Sequence, residues 1–149
     1  MLSIVKTNSK NNDFKHLVKH LDAYLKVTDG EEHDFYNQFN HIDVLQHTIV
    51  AYKNKIPVSC GAFKKINADS VEIKRMFTQK EARKFGIASQ VLVALENWAK
   101  ELGYKNCILE TGIRQKEAVQ FYKKNNYKII PNYGPYINME NSICFKKEI

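Results

Sequence analysis

The densest chemical signal in the chain is the run Arg83, Lys84, Phe85, Gly86, Ile87, Ala88, which stands between a strand-like segment and the start of a long helical pattern. The first turn of a helix leaves backbone N–H groups without intrahelical acceptors, and together with the helix dipole they form a place for an anion. A pyrophosphate settles there only where the backbone can come close. Gly86 removes a Cβ, Ala88 keeps the next approach narrow, and Arg83 and Lys84 add cationic reach. The spacing is neither the dinucleotide fingerprint G-x-G-x-x-G nor the P-loop G-x-x-x-x-G-K-[ST].

The elements that must hold this loop are legible from periodicity. Residues 2–6 read as a short strand. Asn11, Asn12 and Asp13 offer helix-cap chemistry before Phe14, Leu17, Val18, Leu21, Tyr24 and Leu25, which repeat at helical spacing until Asp29 and Gly30. A second short helix is predicted over 32–39. Residues 47–52 and 57–65 read as an antiparallel hairpin turned by Lys53, Asn54 and Lys55, with Gly61 marking a bulge or a close backbone approach. Residues 70–78 form a third strand of this meander, with Val71, Ile73 and Phe77 alternating against Glu72, Lys74 and Thr78. From Gly86 the apolar residues Ile87, Val91, Leu92, Leu95, Trp98, Ala99 and Leu102 trace one face of a long helix closed by Gly103. A buried strand over 105–110, a helix over 115–125 and strands over 127–130 and 142–146 complete the chain. A meander followed by two β-α units implies a mixed sheet with helices on both faces.

Composition sets the outer limits. The 149 residues match one domain, 44% hydrophobic and 26% charged, without repeats or low-complexity tracts. No apolar run approaches bilayer length, and the N-terminus lacks the features of a signal peptide. The three cysteines, Cys60, Cys107 and Cys144, show no C-x-x-C spacing, so neither a disulfide framework nor a zinc knuckle is indicated, and a reducing cytoplasm is the expected setting. Lys and Arg number 23 against 16 Asp and Glu, a balance of +7 that favours polyanionic partners such as nucleic acid, membrane surface or a phosphate-rich cofactor. The basic residues are scattered, so charge alone decides nothing.

The pattern R-x-x-G-x-A at residues 83–88 resembles motif A of the GNAT family of N-acetyltransferases. The flanks are similar too: VEIKRMFT (71–78) looks like the strand before that loop, and LETGIRQKEAVQFYKKNNY (109–127) like the next strand, helix and turn, with an Ala-x-x-x-Tyr element. The implied fold is α/β in the α+β mixed-sheet sense: an acyl-CoA N-acyltransferase fold with a six- to seven-stranded sheet and about four helices, as a single domain over 1–149. Two departures stand out. The turn after the last helix reads Asn126-Tyr127 in place of Gly-Phe or Gly-Tyr, which Asn tolerates because it accepts the left-handed conformation. The usual proline after the central strand is Lys80.

The resemblance implies an acetyl-CoA-dependent enzyme that needs no metal. Met76, Phe77 and Thr78 would hydrogen-bond the thioester and pantetheine through their backbone. Residues Arg83, Lys84, Phe85, Gly86, Ile87 and Ala88 would cradle the pyrophosphate, and Ala118, Phe121 and Tyr122 would line the cofactor's other side. Tyr122 matches the tyrosine that protonates the leaving thiolate. Glu72, eleven residues before Arg83, stands where the histone-modifying branch carries its general base. Such a base has a clear task, because an alkylamine with pKa ~10.4 is almost wholly protonated at neutral pH and attacks only when neutral. The backbone N–H of Met76 or Phe77 is the expected oxyanion donor.

Plainer readings stand beside these. Glu72 reads equally as a surface carboxylate paired with Lys74 or Arg75, and Tyr122 as a core residue. Glu110, at a strand end, is an alternative base, substrate ligand or structural group. His16 and His20 have i, i+4 spacing without a third metal ligand, and Trp98 is most simply core. Glu31, Glu32 and Asp34 would attract a cationic amine or simply complement a helix dipole, and Tyr133 and Tyr136 would wall an acceptor pocket or sit in a surface loop. The leading function is therefore acetyl transfer to a primary amine of a small molecule or peptide in a ternary complex. Spermidine-like amines, aminoglycosides, amino acids and protein N-termini are all open as acceptors, and a homodimer is allowed. One alternative is a CoA-binding sensor without turnover. A further one, disfavoured, is a basic RNA-binding domain, which would need exposed aromatics among the cations of FYKKNNYK.

Overall fold

The computed structural model describes residues 1–29 and 45–149. Seven strands form one sheet in the order β1-β2-β3-β4-β5-β7-β6. The strands are β1 (Leu2–Thr7), β2 (His47–Lys53), β3 (Ile56–Lys65), β4 (Ser70–Thr78), β5 (Asn106–Gly112), β6 (Lys128–Ile130) and β7 (Ser142–Glu148). Only β4 and β5 run parallel; every other pair is antiparallel. Three α-helices accompany them among the described residues: α1 (Asn12–Asp29), α2 (Ile87–Glu101) and α3 (Lys116–Lys124). The helix expected over 32–39, and with it the acidic residues 31, 32 and 34, lies outside the described residues. None of the described helices is long and apolar enough to cross a membrane.

The helices take opposite faces because the strands alternate. On one face α1 buries Phe14, Leu17 and Val18 against Val50, Cys60 and Ala62. Its start is capped by Asn11, whose Oδ1 accepts the Phe14 N–H at 2.9 Å. On the other face α2 buries Val91, Leu92, Leu95 and Ala99 against Ile49, Phe63, Val71 and Ile73, and Val119 and Tyr122 of α3 join the same cluster. A polar tie crosses this layer: Tyr127 donates to Glu96 at 2.8 Å, and Lys147 donates to the other oxygen of Glu96 at 3.0 Å.

Several turns need backbone that few residues adopt. Asn54 and Lys55 have φ of 52° and 70°, as a two-residue type I′ hairpin turn requires, so β2 and β3 each run closer to the turn than the pattern 47–52, 57–65 implies. Asn126 takes φ 73°, the left-handed conformation expected where a glycine is more common.

Two irregularities of β4 shape the site. First, β4 pairs with β5 only at Ser70, Val71 and Glu72, so from Ile73 onward the two strands part. Second, between the pairs Cys60–Phe77 and Ala62–Lys74, Gly61 of β3 faces two residues of β4, Arg75 and Met76. This is a bulge, and Arg75 carries its positive φ of 58°. Gly61 is the close approach that the bulge demands: a Cβ there would run into Met76 Sδ and stand 2.8 Å from Leu95 Cδ1.

Candidate active site

The gap between β4 and β5 opens a cavity bounded by both layers of the molecule. Glu72, Lys74, Arg75 and Met76 come from β4, and Glu110 and Thr111 from β5. Ala118 and Tyr122 of α3 close one side, Leu21 and Leu25 of α1 another, and Tyr136 covers it from the segment between β6 and β7. Sequence-distant groups thus meet because a parallel pair separates after three residues.

Tyr122 is 7% exposed, with its ring against Phe121, Tyr127 and Phe145. Burial, and secondarily the charge of Glu110, hold its hydroxyl pKa above the ordinary tyrosine value, so the group carries its proton. Ala118 and Phe121 lie beside it, half-buried.

Glu72 is no surface carboxylate. It is 5% exposed and accepts at both oxygens, from Lys74 Nζ at 3.3 Å on Oε1 and from the Tyr133 hydroxyl at 2.5 Å on Oε2. Lys64 adds a weaker ion pair at 3.9 Å. Arg75 does not pair with it; its Nη1 reaches Asp22 of α1 at 2.6 Å. Glu110 accepts from Ser142 Oγ at 2.7 Å. The loop that delivers Tyr133 is itself pinned, because Asn132 Nδ2 donates to the carbonyls of Tyr136, Met139 and Ser142 at 3.1 to 3.2 Å.

The end of β4 is fastened to β3. Ser59 Oγ donates to the Phe77 carbonyl at 2.9 Å and lies 2.8 Å from the Thr78 hydroxyl. Met76, Phe77 and Thr78 therefore present a rigid edge on the side that β5 has left. Arg83 turns back on this edge: its Nε donates to the Thr78 carbonyl at 2.9 Å and its guanidinium lies over the Phe77 ring. The cationic reach expected of Arg83 is thus partly spent on holding the loop.

Beyond Arg83 the loop changes hand twice, at Lys84 (φ 71°) and Gly86 (φ 74°). Alternation of this kind turns successive N–H groups toward one concavity. Gly86 caps α2 from a left-handed conformation, with no side-chain hydrogen bond to the first turn. A Cβ on Gly86 would meet nothing within 4 Å, so the ground before the helix start is open. Ile87 is buried and anchors the turn, Ala88 is half-buried, and Lys84 and Phe85 are exposed, with Lys53 Nζ over the Phe85 ring at 4.8 Å. Open ground, uncapped donors and nearby cations fit a pyrophosphate.

His16 and His20 are exposed with their Nε2 atoms 3.4 Å apart, and no group of three His, Cys, Asp or Glu side chains could hold a metal among the described residues. Trp98 is half-buried against Phe63 and His47. Tyr122 and Tyr127 of the basic stretch point into the core and Phe121 is half-buried, so this stretch presents no fully exposed aromatic ring. Lys74 and Arg75 line the cavity, and the sequence does not mark them as cavity residues. The only trace of them in the sequence is the run of charges on β4.

The match to known proteins agrees with this geometry. Residues 14–127 match the model of the acetyltransferase (GNAT) family. The IAA acetyltransferase of Azospirillum brasilense is 32% identical over 130 residues, 80% of either chain. In structure, a protein of Klebsiella pneumoniae provisionally named an acyl-CoA N-acyltransferase superposes with a TM-score of 0.83 at 23% identity, over 99% of this chain and 97% of that one. A GNAT-family acetyltransferase from Elizabethkingia anophelis, solved with acetyl-CoA bound, superposes with a TM-score of 0.72 at 17% identity, over 99% and 98% of the two chains. The chain belongs to the acetyltransferase (GNAT) family, and its class is N-acetyltransferase.

Proposed function

We propose that this enzyme transfers an acetyl group from acetyl-CoA to a primary amine of a small molecule or peptide, by direct attack within a ternary complex. The observation that carries this reading is the parting of β4 and β5 into a cavity where Tyr122 of the α2–α3 face meets Glu72 and Glu110.

The N–H groups that open α2 and the cations Lys84 and Arg83 hold the pyrophosphate, and the free edge at Met76, Phe77 and Thr78 takes up the pantetheine amides. Bound there, acetyl-CoA supplies an acetyl group activated as a thioester. The amine nitrogen forms the new C–N bond as the C–S bond breaks. Glu72, oriented by Lys74 and Tyr133, takes the proton the amine must lose. Tyr122, kept protonated by burial, hands its proton to the departing sulfur. A backbone N–H at Met76 or Phe77 faces the oxyanion.

Direct transfer is favoured over a covalent acyl-enzyme because no cysteine suits the nucleophile's role. Cys60, Cys107 and Cys144 are buried, and burial pushes their thiols up to about 12, 12 and 11. Free buried thiols also support a reducing, cytoplasmic setting. Calorimetric titration with acetyl-CoA, with ATP and NAD as controls, tests the donor. Thiol release on adding amines separates turnover from a CoA-binding sensor.

A further inference from the structure

Outside the cavity, one pair of side chains is arranged for a different ligand. His16 and His20 stand one turn apart on α1, in the run His16, Leu17, Val18, Lys19, His20. Leu17 and Val18 are buried beneath the helix, while both imidazoles are exposed. Residues four apart on a helix are neighbours, and two histidines at this spacing are how a helix grips a metal ion. Leu17 stands where the metalloprotease pattern H-E-x-x-H carries its base, so the pair is equipped for binding and not for hydrolysis.

Distances separate a chelate from a hydrogen bond. The two Nε2 atoms are 3.4 Å apart, beyond the ~2.7–3.2 Å of a good N–H bond. Two nitrogens that each lie ~2.0–2.1 Å from one tetrahedral ion stand about 3.3–3.4 Å from each other. The ring centroids are 4.8 Å apart, further than the Nε2 atoms, so the two rings converge at their Nε2 ends. The His20 ring also lies parallel to that of Phe77, with 6.4 Å between centroids, a contact that favours one ring orientation. Lys15 and Lys19, exposed beside the pair, oppose a cation only through solvent-screened charge. Among the described residues no third His, Cys, Asp or Glu completes the set, so water would take the remaining positions.

We propose that His16 and His20 chelate a divalent transition-metal ion, Ni2+, Cu2+ or Zn2+, through their Nε2 atoms. Imidazole suits these ions, and affinity rises from Ni2+ to Cu2+ and falls again at Zn2+. Mg2+ and Ca2+ prefer oxygen ligands and are poorly served here. The bound ion ties two turns of α1 together beside Phe77, near the end of β4. It stabilises the native state, because the unfolded chain does not hold the two rings in place.

The test is calorimetric titration of the untagged protein with Ni2+ and Zn2+, with Mg2+ as the control, alongside thermal unfolding with and without each ion. The expected result is binding of Ni2+ and Zn2+ but not of Mg2+, with a raised Tm. Affinity should fall about tenfold or more in His16→Gln and in His20→Gln, since loss of even an outer-shell partner costs about 10–100-fold. Both positions are exposed, so without metal the two variants should unfold at the same temperature as the unaltered protein. Binding of Ni2+ and Zn2+ no stronger than that of Mg2+ would overturn the proposal. So would binding and a Tm shift that survive both substitutions, which would put the ion elsewhere on the chain.

Discussion

The hydroxyl of Tyr133 donates to Glu72 Oε2 at 2.5 Å, joining the segment between β6 and β7 to the first part of the central strand across 61 residues. The bond leaves Glu72 one orientation, with Lys74 on its other oxygen. Burial and the Glu72 charge raise the Tyr133 pKa, so the donor keeps its proton at any pH the enzyme meets. Tyr133→Phe would leave a buried carboxylate oxygen short of a donor. Denaturant titration should show a loss of about 1–3 kcal/mol. Turnover should fall while acetyl-CoA affinity holds, because Tyr133 bonds the proposed base Glu72 and packs on Tyr136, away from the loop proposed to hold the pyrophosphate.

Tyr122→Phe separates the acid from the cradle. Thiolates leave readily, so turnover should drop by less than the ~10²–10⁴ typical of general acids. Calorimetry should find acetyl-CoA affinity nearly unchanged. The sign of the pH effect follows from the raised pKa: a group that holds its proton to higher pH stays a competent acid there. The kcat profile of the unaltered enzyme should therefore show no fall through the ordinary tyrosine range near ~10. A fall there that vanished in Tyr122→Phe would contradict the assignment.

At Gly86 the requirement is conformational as well as spatial. An alanine meets no neighbour, but φ 74° costs a residue with a Cβ about 1–2 kcal/mol. Gly86→Ala should therefore lose modest stability. Gly86→Glu adds a negative charge on the open ground before α2 and should abolish acetyl-CoA binding by calorimetry. Normal binding by Gly86→Glu would mean the pyrophosphate lies elsewhere.

Gly61→Ala probes the bulge from behind. The added methyl runs into Met76 Sδ and Leu95 Cδ1, and overpacking of this kind costs about 1–3 kcal/mol. Because Met76 lines the cavity, catalytic efficiency should fall with stability. Denaturant midpoints and kcat/KM, measured on the same samples, check both.

These sites differ in how openly the sequence declares them. Strand 70–78, the helix after Gly86 and the left-handed turn at Asn126 follow local rules, and local rules reach them. The loop proposed as the cradle is local in the same way: a helix start, a glycine and two cations are neighbours in sequence. The bulge is legible from one side alone: Gly61 marks it on β3, while Arg75 on β4 takes a left-handed φ that its residue type disfavours. Without the bulge, Lys74 and Arg75 would belong to opposite faces of the sheet. Tyr133 on Glu72, and Arg75 on Asp22 across 53 residues, are products of topology that no spacing records.

The most direct test of the account is to incubate the purified protein with acetyl-CoA and a panel of amines, follow thiol release, and identify acetylated products by mass spectrometry. The account predicts thiol release that depends on an amine, yields an N-acetylated product, and is lost in Gly86→Glu. Folded protein that binds acetyl-CoA yet acetylates no amine would contradict it.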